Sequence, residues 1–393
     1  MLFRIEKKEW LGNERNDLFA GLVSSVAILP EVIGFSIIAG VPPLAALFAS
    51  AVTLLVITFT GGRPAMVSAA AGSMALVIAG LVQSHGLNYM IAATILTGVL
   101  QMLFGFLGIH KLMRFISKTV MFGFVNALAI LIFMAQVQQL PGQTWASYAM
   151  VILSIGLIYL IPRFTIIVPS ALIVIVVMTI FAFLFKGNLQ TVGDLGAMND
   201  ITPMLALPAV PLTVETLWII LPTSLALAMI GLIESLLTVP IVDKMTESTS
   251  DSQREVKAQG LANIVTGFFG GQAGCAMIGQ AVINVKSGGR KRLSTFISGM
   301  TLLLFIFAFR DLMIGIPTAA LIGIMMTVAV DTFDWESLRL FKNRQIKDGF
   351  ILIMTVAVIV YTHNLAIGIV LGVIVTLLID TVFVRKLSDS SSK

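Results

Sequence analysis

Two carboxylates, Glu31 and Glu234, stand inside apolar runs long enough to cross a bilayer, one in each half of the 393-residue chain. A charged side chain at the centre of a membrane helix costs about 2.5–3.5 kcal/mol on insertion scales, so such residues mark ion or substrate pathways. Glu31 follows a helix-disturbing proline, Pro30, and Glu234 stands in the run Gly-Leu-Ile-Glu-Ser-Leu-Leu-Thr over 231–238. A carboxylate in that setting takes up a proton, or a sodium ion shared with Thr238 and backbone carbonyls, and so offsets the charge of an anionic solute. The plainer role is structural, a carboxylate that accepts from backbone exposed by a broken helix.

Each acid is followed by a short segment of small residues. Glu31 precedes Ser-Ala-Ala-Ala-Gly-Ser-Met (68–74) by 40 residues, measured to Ala71; Glu234 precedes Gly-Cys-Ala-Met-Ile-Gly (274–279) by 43, measured to Met277. A simple helix needs about 20 apolar residues to cross the hydrocarbon core, so these segments cannot span alone. Discontinuous helices that meet near the midplane present their N-termini to an anion. Their free N–H groups and dipole attract negative charge, and small side chains let the ligand reach the backbone. Small-residue helix packing explains the composition, but not why both segments are short and correspondingly placed.

The elements that must hold these groups follow from hydropathy. Fourteen apolar segments are predicted, at about 18–39, 44–60, 71–83, 87–108, 115–138, 147–162, 164–185, then 216–240, 255–270, 276–285, 293–309, 313–331, 348–363 and 365–384. With that count, every one of the 25 basic residues except Lys186 and Arg310 falls on the side of the two termini. By the positive-inside rule that side is cytoplasmic. Seven segments per half force the two copies to opposite orientations, so the fold class is an all-α polytopic membrane protein built as a 7+7 inverted repeat. The chain reads as one transmembrane domain over 1–393. The first repeat covers about 17–186, a polar connection 187–214 and the second repeat 215–385, with short cytoplasmic tails.

Composition narrows the function. Hydrophobic residues make up 58% and charged residues 11%, against about 25% charged in soluble domains. The single cysteine, Cys275, and three scattered histidines exclude an internal disulfide and argue against a Cys- or His-built metal site. No Ser/His pair or paired aspartates at one depth point to an embedded enzyme. The pI near 9.4 fits basic loops beside anionic lipid rather than nucleic acid. The first apolar run lacks a signal-peptide cleavage site and reads as the first span. The cluster Lys286, Arg290, Lys291 and Arg292 reads first as a topology determinant beside lipid headgroups, second as an anion-attracting mouth. The stretch Lys244–Lys257 reads as a solvated loop.

Several stretches resemble the SulP family of sulfate-permease-type anion transporters. They are Asp17-Leu-Phe-Ala-Gly-Leu with Leu29-Pro-Glu-Val-Ile-Gly-Phe-Ser-Ile-Ile-Ala-Gly-Val-Pro-Pro-Leu (29–44), the basic turn Val285-Lys-Ser-Gly-Gly-Arg-Lys-Arg-Leu-Ser (285–294), and the Glu234 run. The resemblance implies a core of spans 1–4 and 8–11 that moves against a gate of spans 5–7 and 12–14. It implies an anion site between the N-termini of spans 3 and 10, closed by span 1. Carried over by position, the substrate-binding residues are Phe35; Ala71, Gly72 and Ser73; and Ala276, Met277, Ile278 and Gly279. Glu234 and Thr238 match places that coordinate or titrate with a coupling cation in some relatives, and Glu31 is the other candidate coupling group on the strength of its intramembrane position.

Two departures stand out. Gln280 occupies a place where many animal relatives carry arginine, and the sequence stops at Lys393, just after the last span, where most family members continue into a cytoplasmic STAS domain. The resemblance implies an inner-membrane secondary transporter of sulfate, bicarbonate or a dicarboxylate, a symporter driven by H+ or Na+, with no organic cofactor. By analogy with relatives a homodimer is expected. The nearest alternative is a nucleobase:cation symporter of similar fold, although span 10 here lacks the acid a neutral base would want.

Overall fold

The computed structural model describes residues 6–109, 111, 116–165, 168–185, 189–195, 207–342 and 346–391. Fourteen helical segments follow one another among them, apart from one-turn pieces. The first repeat holds α1 (Glu14–Ala39), α2 (Pro43–Thr60), α3 (Gly72–His85), α4 (Leu87–Leu107), α5 (Lys118–Val137), α6 (Trp145–Leu160) and α7 (Ser170–Phe185). The second holds α8 (Val214–Thr246), α9 (Ser252–Phe268), α10 (Ile278–Lys286), α11 (Arg292–Ala308), α12 (Thr318–Thr332), α13 (Ile346–Thr362) and α14 (Leu365–Ser391). By length and composition α1, α2, α4, α5, α6 and α8 can each cross a membrane, and α3, α7, α11, α12 and α14 are shorter apolar helices. The molecule is a multi-pass membrane protein.

Two boundaries differ from the sequence reading, and Pro30 acts differently from its usual role. The seventh span begins at Ser170 after a turn of 3-10 helix at Ile161–Arg163, and the twelfth begins at Thr318 after a separate turn, Arg310–Ile314. Pro30 does not break α1, which runs unbroken from Glu14 to Ala39. A proline forfeits one ladder bond, and buried neighbours make that tolerable in a membrane helix.

The chain is also not purely helical. Each half-helix is entered through a two-residue strand, β1 (Ser68–Ala69) and β2 (Cys275–Ala276), which pair antiparallel with Ser68 opposite Ala276 and Ala69 opposite Cys275. Backbone at the membrane midplane must satisfy its hydrogen bonds within protein, and the two entering segments do so with each other. Side groups complete the accounting. Met277 N–H donates to the Val67 carbonyl at 2.9 Å, Ala70 N–H to Ser50 Oγ at 3.1 Å and Ala276 N–H to Ser235 Oγ at 3.2 Å. Small residues are required here: a Cβ on Gly274 would lie 2.6 Å from the Ala69 carbonyl oxygen.

The packing is that of an inverted repeat. α4 packs on α9 as α11 packs on α2; α1 on α11 as α8 on α4; α3 on α8 as α10 on α1; and α6 on α12 as α13 on α5. Helices α1–α4 and α8–α11 form one group. Helices α5 and α6 pack with α12 and α13, and α14 joins them through α13 and α5.

At the end of the bundle where the α2–β1, α8–α9 and α10–α11 connections lie, the charged side chains form a buried lattice. Arg292, 1% exposed, donates to Glu9 at 2.8 Å and to the Thr58 and Gly61 carbonyls at 2.9 and 2.7 Å. Arg63 pairs with Asp243 at 3.3 Å and donates to Ser248 at 2.8 Å and to Thr246. Glu255, fully buried, accepts from the Gly62 and Arg63 N–H groups at 2.7 and 3.1 Å. The Asp17 carboxylate caps the basic turn by accepting from the Arg290 and Lys291 N–H groups at 2.7 and 3.0 Å. Within 244–257 the loop is confined to the largely exposed 247–251, its flanks belonging to α8 and to α9 with Glu255 and Val256 buried, and Arg292 is buried rather than set against lipid headgroups. Their partners lie in the other repeat, beyond the reach of any local pattern.

Candidate functional site

The two half-helices bring their first turns together. Ala71 is the N-cap of α3 and Met277 the N-cap of α10, both with extended backbone and neither with a side-chain cap. The helical ladders begin only at Ala75 N–H to Ala71 C=O and Ala281 N–H to Met277 C=O, at 3.0 Å each. The N–H groups of the intervening residues thus lie before the start of the ladder, where a helix has no internal acceptor to offer. Gly72, Ile278, Gly279 and Gln280 line a cavity of about 350 Å³.

That cavity collects most of the residues nominated from sequence. Glu31 and Phe35 of α1, Ala71 and Gly72 of α3, Glu234 of α8, and Met277, Ile278 and Gly279 of α10 all line it. The opposite wall comes from Phe124, Val125, Leu128 and Ile132 of α5 and Val328, Asp331 and Thr332 of α12. Phe35 closes it from the side. A Cβ on Gly72 would lie 2.6 Å from Phe35 Cε1 and 3.1 Å from Ile132 Cδ1, so α3, α1 and α5 meet there without slack. Beyond that contact lies a second cavity of about 810 Å³, walled by α1 residues Ile37 and Ile38 and by Gln83, Gln138, Gln139 and Gln143. The smaller cavity takes the middle of α5, Phe124 to Ile132, and the last turns of α12; the larger takes the end of α5 from Leu131 on and the first turns of α12. The two therefore open toward opposite ends of the bundle, with Phe35, Gly72 and Ile132 between them.

Three nominated residues sit behind the cavity wall. Ser73, fully buried, donates its hydroxyl to the Glu234 carboxylate instead of capping α3. Ala276 is held in the strand pair. The Thr238 hydroxyl donates to the Glu234 carbonyl one turn earlier at 2.8 Å, so its proton is committed to the helix while its lone pairs remain. The Glu234 carboxylate receives a second bond that the sequence does not suggest, from the Cys275 thiol at 3.1 Å. Helix α8 is thereby tied through one side chain to α3 and to the strand that leads into α10. Glu31 has Gln280 of α10 as its hydrogen-bond partner. Each acid thus links its own long helix to the half-helix of the other repeat, Glu31 to α10 and Glu234 to α3. Among the described residues, no group of three or more His, Cys, Asp or Glu residues could hold a metal ion.

Two contributors escaped the sequence reading. Asp331 stands in the last turn of an apolar span, where an acid reads as interfacial. Ser235 neighbours Glu234, and only the fold reveals that its hydroxyl holds the Ala276 N–H.

The sequence model of the sulfate permease family matches residues 15–158 and 143–355. The chain belongs to the sulfate permease family. It is 51% identical over 382 residues to the putative sulfate transporter YbaR of Bacillus subtilis, covering 97% of this chain and 79% of that one. It is 28% identical over 426 residues to the bicarbonate transporter BicA of Synechocystis, covering 99% and 75%. The solved transmembrane domain of a cyanobacterial BicA superposes with a TM-score of 0.83 at 28% identity, covering 91% of this chain and 97% of that one. Murine Slc26a9 in its inward-facing state shares the fold, with a TM-score of 0.82 at 18% identity over 96% of this chain and 69% of that one. The 7+7 inverted-repeat architecture expected from hydropathy and loop charge is the architecture of this family.

Proposed function

We propose that this protein is a secondary transporter of a small oxyanion of the sulfate or bicarbonate class, working by alternating access. The observation that carries the reading is the uncapped first turns of α3 and α10, which border one cavity that holds no basic side chain among the described residues. Backbone N–H groups and two helix dipoles, each equivalent to about half a positive charge, supply the attraction a lysine would otherwise give. The relatives named for sulfate and bicarbonate transport support the same solute class.

Glu31 and Glu234 are the coupling groups in this reading. An anion drawn toward carboxylates needs them neutralised, so uptake of H+ or Na+ accompanies its binding. Thr238 offers its lone pairs one turn below Glu234. Phe35, Ala71, Gly72, Met277, Ile278 and Gly279 contact the solute, while Ser73 and Ala276 hold the wall in place. The core of α1–α4 and α8–α11 carries the site past the gate of α5–α7 and α12–α14. The chain acts as one transport domain in a cell inner membrane, as a homodimer. The basic end, with both termini, faces the cytoplasm, and the smaller cavity opens there.

Uptake of labelled sulfate and bicarbonate into reconstituted vesicles, with imposed pH or sodium gradients, tests this. The wild type is expected to concentrate an anion only with a gradient, and Glu31→Gln or Glu234→Gln to lower concentrative uptake at least about tenfold. Full gradient-driven uptake in both variants sinks the coupling assignment. Equal flux without any gradient sinks symport.

A further inference from the structure

Three carboxylates line the smaller cavity. Two, Glu31 and Glu234, belong to the half-helix side and are engaged by Gln280, Ser73 and Cys275. The third, Asp331, stands across from them on α12 at the exposed rim. It makes no hydrogen bond or ion pair with a described residue. The polar group it acts on electrostatically is the Tyr159 hydroxyl of α6. No Lys, Arg or His lines the cavity among the described residues.

We infer that Asp331 is a specificity-determining residue, a fixed negative charge at the cavity rim that discriminates against divalent anions in favour of monovalent ones. This rests on the anion-transport reading above and deepens it. Coulomb repulsion scales with the charge of the ligand, so a dianion suffers twice the penalty a monoanion does at the same distance. The attraction from the half-helices acts through fixed backbone dipoles, with no mobile cation beside Asp331 to screen it. Glu31 and Glu234 cannot make this distinction alone if they are neutralised in transport. Asp331 stands at the exposed rim, where water reaches its carboxylate. It also lies on the other side of the cavity from the half-helices, so the core leaves this charge behind as it moves. A dianion is therefore opposed at the step where the cavity is open toward the α12 rim. A cavity of about 350 Å³ is about 9 Å across if spherical. At that separation and an intermediate effective dielectric, the extra unit of charge changes relative affinity by about fivefold.

The test is the ratio of initial uptake rates for labelled sulfate and labelled bicarbonate in reconstituted vesicles at mildly alkaline pH. The assay uses wild type, Asp331→Asn and Asp331→Glu, each shown to be monodisperse in detergent. The wild type is expected to favour bicarbonate. Asp331→Asn is expected to raise the sulfate-to-bicarbonate ratio about fivefold, and Asp331→Glu to keep the wild-type ratio. Lowering ionic strength should widen the wild-type preference and leave the Asn variant unmoved. A ratio unchanged in Asp331→Asn, with uptake intact, overturns this inference and leaves the transport reading standing. A wild type that favours sulfate also overturns it alone. A wild type that moves neither anion above protein-free vesicles overturns both. Should Asp331→Asn not be monodisperse, Asp331→Ser is read by the same criteria.

Discussion

At the scale of single residues, the charges in this molecule divide into two populations with opposite purposes. Arg292, Arg63 and Glu255 are buried among partners from the other repeat: Arg292 alone serves one carboxylate and two backbone carbonyls, and Arg63 stands 3.3 Å from Asp243. Glu31, Glu234 and Asp331 are placed on a cavity instead. Removing one partner of a buried ion pair costs about 3–5 kcal/mol, because the remaining charge or carbonyl is left without compensation. Arg292→Met is therefore expected to lower the thermal midpoint in detergent by several degrees. Arg292→Lys should recover only part of it, since one ammonium cannot match the planar fork of a guanidinium. A midpoint for Arg292→Met equal to wild type would mean the pair is dispensable. Residue chemistry was only half legible in the sequence. The intramembrane acids announced themselves by their cost, whereas Arg292 looked like an ordinary cytoplasmic charge. Its partner Glu9 is 283 positions away.

At the scale of elements, the informative pieces are the two half-helices, whose caps at Ala71 and Met277 coincide with the reference positions that hydropathy and small-residue spacing picked out. Their existence was legible because a segment too short to span must be explained. Their strands were not, because β1 and β2 are two residues each and pair only across the repeats. The half-helices also differ in a way that spacing could not show. Gly72 is pressed between Phe35 and Ile132, while a Cβ on Gly279 would meet nothing within 4 Å. Gly72→Ala must therefore push the Phe35 ring into the cavity or part α3 from α5. It is expected to cut uptake by about tenfold for a stability loss of about 1–3 kcal/mol, the ordinary cost of overpacking. Gly279→Ala, whose Cβ meets no protein atom, should leave the thermal midpoint near that of the wild type. Paired uptake and thermal-melt measurements on both variants check this, and equal losses in the two would show that the Phe35 contact is not what matters.

At the scale of the whole molecule, the inverted repeat explains why two cavities flank one tight contact. A seven-span unit placed twice in opposite orientations offers the same path from either end, and only the relative position of the two helix groups decides which end is open. The contact between α1 and α12 is central to that position: Gly34 lies so close to the Met325 side chain that no Cβ fits without movement. Cysteines introduced by Gly34→Cys and Met325→Cys come within range of a disulfide if α1 shifts by a fraction of a turn. The one native cysteine is buried and does not compete. If transport requires the groups to slide past each other, oxidising this pair should stop uptake and a reductant should restore it. Each single cysteine variant should be insensitive to the oxidant. Sustained uptake in the fully cross-linked protein would mean that the solute passes without relative movement of α1 and α12. The site would then act as a pore through a fixed frame, and the barrier formed by Phe35, Gly72 and Ile132 would have to open by side-chain motion alone.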